Sequence, residues 1–418
     1  MYTYIGPIKE LITLAELPVR GALSDDQLHP LKNYGILIKD GTIEQIDVHK
    51  KLYEKAQNLN AHLEILEEDF CALPGFIDSH THICFGGSRA RDYAMRNAGK
   101  TYLEIAEAGG GIWDTVTETR KATQEQLVED IVKRANLLLQ KGITTIEVKS
   151  GYGLSIDEEL KMLHAIKTAN TKTEATLIAT CLAAHTIPRE YKGNPEGYIQ
   201  LITEELLPVV KEEKLANRVD AFIEKGSFTA KTIKPYFDKA QALRFDITVH
   251  ADQFTTGGSA VALKYRAVSA DHLEASTSVE IQMLAKSNTV ATALPGASIG
   301  LGCAFTPARE LLDHNGTLAI ASDWNPGSAP MGDLLTQAAI LGTFQKLSNA
   351  EVLAGITVRA AKALNLEQDA SIKAGNAADL ILFKTASYQD VLYHQGQLQP
   401  ARVFKNGKLV FKASYYDI

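Results

Sequence analysis

Strand-like and helix-like segments alternate eight times through the middle of this 418-residue chain, and that alternation predicts an α/β fold, a TIM-like (β/α)8 barrel. Apolar runs of strand length recur at 76–82, 144–150, 175–185, 219–224, 247–252, 269–274, 289–294 and 318–323. Most intervals between them can hold an amphipathic helix. The two chain ends differ, reading as short apolar runs broken by turns. A doubly wound open sheet is the alternative that the same alternation allows.

Near the N-terminus, Tyr34–Ile46 reads as strand, Asp40-Gly41 turn, strand. Asp-Gly suits a primed hairpin turn, whose central residues need positive φ. Ala377–Val410 has the same character, with Asn406-Gly407 as its turn. Two hairpin-rich ends flanking a different middle are expected to pair as one small β-domain of residues 1–70 and 370–418. Residues 71–369 are left for the barrel. There, Pro74-Gly75 opens the first strand. Residues 123–141 place Leu127, Ile131 and Leu138 on one helix face, with Thr123 and Gln126 as a capping box and Gly142 as the stop. Ser155 with Glu158, Thr277 with Glu280 and Ser348 with Glu351 are further box-like starts.

Composition narrows the function classes. Hydrophobic content of 45% and charged content of 22% fit an ordinary soluble globular protein. A formal net charge of -7 argues against nucleic acid or an anionic membrane as partner. Cys71, Cys84, Cys181 and Cys303 are scattered, as expected of a reduced cytoplasmic protein rather than a disulfide framework. No basic, then apolar, leader and no membrane-length apolar run stands out.

In a barrel of this kind chemistry sits at the C-terminal ends of the strands. The first strand ends in His80 and His82, the third in His185, the fifth in His250, the sixth in His272 and the eighth in Asp323. Side chains two apart on a strand share a face, so His80 and His82 can reach one point. Imidazoles and a carboxylate buried at one mouth need partners, and a metal ion satisfies them together. His80, His82, His250 and Asp323 offer three nitrogens and one oxygen and leave a position for water. The expected nucleophile is hydroxide generated at that ion near neutral pH. His272 and Asp323 are the candidates for accepting and shuttling the proton, with a ligand-orienting role as the alternative for His272. The histidines at 29, 49, 62, 164, 314 and 394 fall in outer helices, loops or the terminal β-domain and are read as solvated or capping side chains.

PGFIDSHTH, the isolated fifth-strand histidine, ADHLE around His272 and the eighth-strand Ser-Asp resemble the amidohydrolase superfamily along essentially the whole chain. That resemblance implies a metal-dependent barrel with a β-sandwich built from both chain ends. Within it, FGGSRARDYAMR (85–96), AGGGI (108–112), EVKSGYGL (147–154), AAHTIP (183–188), HADQF (250–254), SADHLE (269–274) and SDWNPGSAP (322–330) are similar to the imidazolonepropionase family of histidine breakdown. The reaction implied is hydrolysis of 4-imidazolone-5-propanoate to N-formimidoyl-L-glutamate, with attack on the ring amide carbonyl. One divalent or trivalent ion per subunit, zinc or iron, and a homodimer are implied as well.

The resemblance also assigns residues. Arg89 offers a forked cation for the substrate carboxylate. Tyr152, between two glycines, and His185 lie where the family binds substrate; His185 either polarises the attacked carbonyl or binds the ring. Asn325, Gly327 and Ser328 match the loop holding the glutamate part of the product. Related deaminases carry a glutamate three residues after the fifth-strand histidine, where this chain has Gln253, which hydrogen-bonds but does not ionise. Proton transfer is then expected to fall on His272 and Asp323, with Gln253 and the adjacent Asp252 left open. Lys225 stands near the position of the carbamylated lysine of two-metal relatives and is read as a solvated loop residue. The glycines at 109–111 and 151–153 lack the context of a phosphate loop and are read as close-approach turns. Another cyclic amidohydrolase or aminohydrolase is the alternative activity, and a non-catalytic scaffold the alternative class.

Overall fold

The computed structural model describes residues 1–414, apart from the side chains of Tyr102, Leu103 and Ala106. Eight parallel strands follow one another in space in the order of the chain: β1 (Phe76–Asp78), β2 (Ile143–Lys149), β3 (Thr176–Ala184), β4 (Arg218–Ile223), β5 (Asp246–Ala251), β6 (Ser269–His272), β7 (Val290–Ala293) and β8 (Leu318–Ile320). Parallel neighbours need a crossover of a dozen residues or more, which is why helices fill the intervals. Three of them bear on the site: α1 (Ile112–Lys121), α2 (Gln124–Gln140) and α3 (Ile156–Ala169).

The sheet closes into a barrel rather than remaining open. No regular ladder joins β1 to β8; instead Asp323 N donates to His80 O at 3.0 Å and His82 N to Trp324 O at 2.9 Å. The carboxylate of Asp78 takes the N–H of Ser322 at 2.9 Å. The seam therefore runs through the residues singled out at the ends of the first and eighth strands.

The expected helix starts are largely present. Thr123 with Gln126, Thr277 with Glu280 and Ser348 with Glu351 form complete capping boxes. Ser155 caps α3 by accepting from Glu158 N, but the Glu158 carboxylate turns to Lys161 at 2.5 Å, so that box stays half made. Among the described residues no helix is long and apolar enough to cross a membrane.

Both chain ends share a second, mixed sheet. Its strands lie in the order Lys408–Lys412, Arg402–Lys405, Leu380–Phe383, Cys71–Pro74, Tyr2–Leu11, Leu31–Lys39 and Thr42–Val48, with His62–Ile65 also paired to Tyr2–Leu11. Leu380–Phe383 runs antiparallel to Cys71–Pro74 and so splices the two ends together. Positive φ at Asp40 and Gly41, and again at Asn406 and Gly407, gives both hairpins the turn their sequences call for. Ile5, Ile8, Ile36, Leu380, Leu382 and Phe404 form its apolar core.

Candidate functional site

His80 and His82 leave the end of β1 and His250 lies on β5; their ring nitrogens fall within 4.8 Å of one another. His82 Nε2 is 3.3 Å from His80 Nε2 and 3.3 Å from His250 Nε2. Asp323 Oδ1 is 3.5 Å from His80 Nε2 and 3.3 Å from His82 Nε2. Ligand atoms about 2.0–2.1 Å from a tetrahedral centre stand roughly 3.3–3.4 Å apart, so these spacings fit one ion. Burial pushes His80 and His82 well below the ordinary imidazole range and His250 down to about 4. Neutral imidazoles with lone pairs turned toward each other and toward a carboxylate form a donor set that a cation satisfies.

Two carboxylates behind these rings were not singled out from the sequence. His80 Nδ1 donates to Asp271 Oδ2 at 2.7 Å, and His250 Nδ1 stands 2.8 Å from Asp220 Oδ2. Carboxylates so placed fix which ring nitrogen carries the proton and which is left for a metal. Lys149 Nζ lies 2.9 Å from Asp220 Oδ2 and 2.7 Å from Glu147 Oε1, all three fully buried. Glu147 Oε2 accepts from Thr81 N, between the two histidines of β1. Burial opposes the charge of Asp220, yet His250 and Lys149 hold its carboxylate far below the usual range. The available signal was period-two spacing: Glu147 and Lys149 alternate with apolar Ile146 and Val148, which puts two charges on the inner face.

His272 is buried beside the cluster, its ring centre 5.2 Å from that of His250, with Nδ1 3.4 Å from Glu274 Oε1. Burial works against its imidazolium, but the carboxylates of Glu274, Asp323 and Asp271 together outweigh this and raise it above the ordinary value. Burial also raises the Asp323 carboxyl. His272, Leu273 and Asp323 all have left-handed backbone, at φ 82°, 70° and 53°. Such residues cost on the order of 1–3 kcal/mol and cluster at functional sites.

The remaining candidates divide into those at the rim and those turned away. The His185 ring stacks on His82 at 5.3 Å, and Tyr152 lies against both rings, 5.3 Å from His185 and 6.0 Å from His82. Nδ1 of His185 is 2.9 Å from Gly151 O, and burial lowers its pKa to about 3. Arg89 Nε pairs with Asp92 at 2.8 Å, and its guanidinium packs so closely on Gly327 that a Cβ there would meet Arg89 Nη1 at 2.3 Å. The Asn325 amide oxygen accepts from Gly327 N and Ser328 N, both at 2.8 Å, and its nitrogen donates to Asp323 O at 2.7 Å. Arg89 thus meets the 325–328 loop across the barrel mouth.

Gln253 is half-buried just after β5. Asp252 is committed elsewhere, its carboxylate accepting from Ser259 N at 3.1 Å and Ser276 Oγ at 2.8 Å. Lys225 is exposed past the end of β4. Arg96, also on the rim, donates to Gly327 O at 3.1 Å and was not singled out from the sequence.

Comparison with known proteins places this arrangement among relatives. The amidohydrolase family profile matches residues 71–410. An imidazolonepropionase of Geobacillus sp. (strain WCH70) is 36% identical over 416 residues, covering 98% of each chain. That of Acinetobacter baumannii (strain AB307-0294) is 42% identical over 340 residues, 81% of this chain and 85% of the other. A crystal structure of a triazine hydrolase variant superposes with a TM-score of 0.75 at 18% identity, over 98% of this chain and 95% of that one, a likeness of fold.

Proposed function

The chain belongs to the amidohydrolase family and, within it, to the imidazolonepropionases, and we propose that it hydrolyses 4-imidazolone-5-propanoate to N-formimidoyl-L-glutamate at the barrel mouth. The observation that carries the reading is the set of His80, His82 and His250 ring nitrogens within 4.8 Å of one another, with an Asp323 carboxylate oxygen 3.5 Å from His80 and 3.3 Å from His82. His80, His82, His250 and Asp323 would hold one ion, zinc or iron. When bound, the ion supplies Lewis acidity toward the ring carbonyl and brings the pKa of water from about 16 towards about 7.

The chain's own groups then have separable tasks. Asp271 and Asp220 orient His80 and His250. Arg89 takes the propanoate carboxylate, with the 325–328 loop closing on the same end. His185 binds the ring and does not polarise its carbonyl. Gly151 O is only an acceptor, so the His185 proton sits on Nδ1, and Nε2 presents a lone pair suited to a ring N–H. Tyr152 closes on the substrate beside it. His272 and Asp323 accept and pass on the proton. The departing nitrogen belongs to an amidine, whose delocalised charge makes an ionisable acid at position 253 dispensable.

On this reading the enzyme is a cytoplasmic homodimer, with residues 1–70 and 370–418 as the composite β-domain, to which Cys71–Pro74 adds a strand, and the rest of 71–369 as the catalytic barrel. The test is an ultraviolet assay of imidazolone propionate loss, before and after chelation and after readdition of zinc or iron. Loss that stops with chelator and returns with metal supports the assignment. Stoichiometric ammonia release would instead make the protein an aminohydrolase, and an inert metal-replete protein would overturn the reading.

A further inference from the structure

Glu159 lies on α3, outside the barrel mouth, yet it is fully buried and aims its carboxylate at the loop that carries Tyr152. Its Oε2 accepts from Gly151 N at 3.0 Å, and its Oε1 accepts from both Gly153 N and Leu154 N at 2.8 Å. The carbonyls of the same loop are taken from the opposite side. Arg120, on α1, donates through Nε to Gly153 O at 2.7 Å and through Nη2 to Leu154 O at 3.3 Å. Its Nη1 reaches Glu190 at 2.9 Å, in the turn (Arg189–Tyr191) that follows His185.

The loop's own backbone is unusual. Gly151 has φ 109°, and a Cβ there would lie 2.9 Å from Leu182 O and 3.1 Å from His185 Nδ1. Leu154 is left-handed too, at φ 55°, without the freedom of glycine. What the loop sets is chemical. Gly151 O orients His185, and Tyr152 is carried between the two anchored glycines. A buried carboxylate bridging three backbone donors is a costly choice unless the donors must be held in one place.

We propose that Glu159, opposed by Arg120, is a positioning residue for substrate. By clamping the main chain of 151–154 it sets Tyr152 and, through Gly151 O, the acceptor nitrogen of His185. The inference rests on the reading above that Tyr152 and His185 hold the substrate. A role confined to folding would stabilise the loop without altering what the folded enzyme binds.

In Glu159→Gln, one end of the side chain becomes a donor facing either Gly151 N–H or the Gly153 and Leu154 pair, so one anchor is lost. The expected result is a KM for imidazolone propionate, and a dissociation constant for N-formimidoyl-L-glutamate, each raised on the order of 10-fold. Metal content and kcat should change little. Arg120→Met, less buried and acting on the carbonyl side, should move both constants in the same direction and carries the test if Glu159→Gln does not fold. Tyr152→Phe and His185→Ala are measured beside them. If these leave KM and product affinity unchanged, the substrate reading has failed. If they raise both while the folded Glu159 and Arg120 variants match the parent, or if neither variant folds, the positioning role is overturned.

Discussion

Along β2, Ile146 and Val148 pack outward into the main apolar core, while Glu147 and Lys149 turn into the barrel and pair there. The same division repeats on β4, with Val219 and Ala221 outside and Asp220 inside, and on β5, with Val249 outside and His250 inside. Adjacent residues therefore do opposite work on one strand. The outer set is bound to the helices by burial of apolar area. The inner set is a chain of charges and imidazoles that place one another. A register slip of a single residue would exchange the two sets, so the apolar face that stabilises the barrel also fixes the geometry of its site.

That contrast can be broken most severely at the inner face. His82→Ala should lower turnover by at least about 10³-fold, with little loss of melting temperature, as seen by calorimetry beside the ultraviolet assay. A step further from the candidate ion, Asp220→Asn should weaken zinc affinity about 10- to 100-fold, read by competition with a chromophoric chelator. Unchanged affinity would reduce Asp220 to a partner of Lys149.

The next pair sits on β2 alone. Lys149→Met leaves Glu147 and Asp220 without their cation and should cost about 3–5 kcal/mol of stability by denaturant unfolding. Ile146→Ala should cost about 2–5 kcal/mol by opening a cavity while leaving the zinc affinity of the folded protein near the parent value. The smallest effect is expected at Gln253→Glu, with kcat near neutral pH within about 10-fold of the parent, a general acid contributing more than that where it is needed. A larger gain would show that the leaving nitrogen does need an acid there.

The strand ends His80, His82, His250 and Asp323 were legible because period-two spacing and a strand's C-terminal end are local properties of sequence. So were the two hairpin turns, where Asp-Gly and Asn-Gly announce their positive φ. His272 was named as a strand end too, but its route into the site shows the limit. Alternation would send it outward, opposite Asp271, but left-handed backbone at His272 and Leu273 turns the chain and brings the ring beside His250. Arg96 at Gly327 and Glu159 beneath the Tyr152 loop were not singled out at all, because each joins residues on separate elements.

By itself the sequence determined the succession of strands and helices, the polarity of each strand's two faces and the residue types available at each strand end. Those follow from backbone geometry and from which side chains leave water. The tertiary structure decided that the first and eighth strands meet at a seam, and that Asp220, Asp271 and Lys149 stand behind the histidines. It also decided which nitrogen of His185 is tied to the Gly151 carbonyl. Each of these depends on long-range pairing across the barrel, where partners far apart in the chain meet only after the sheet has closed.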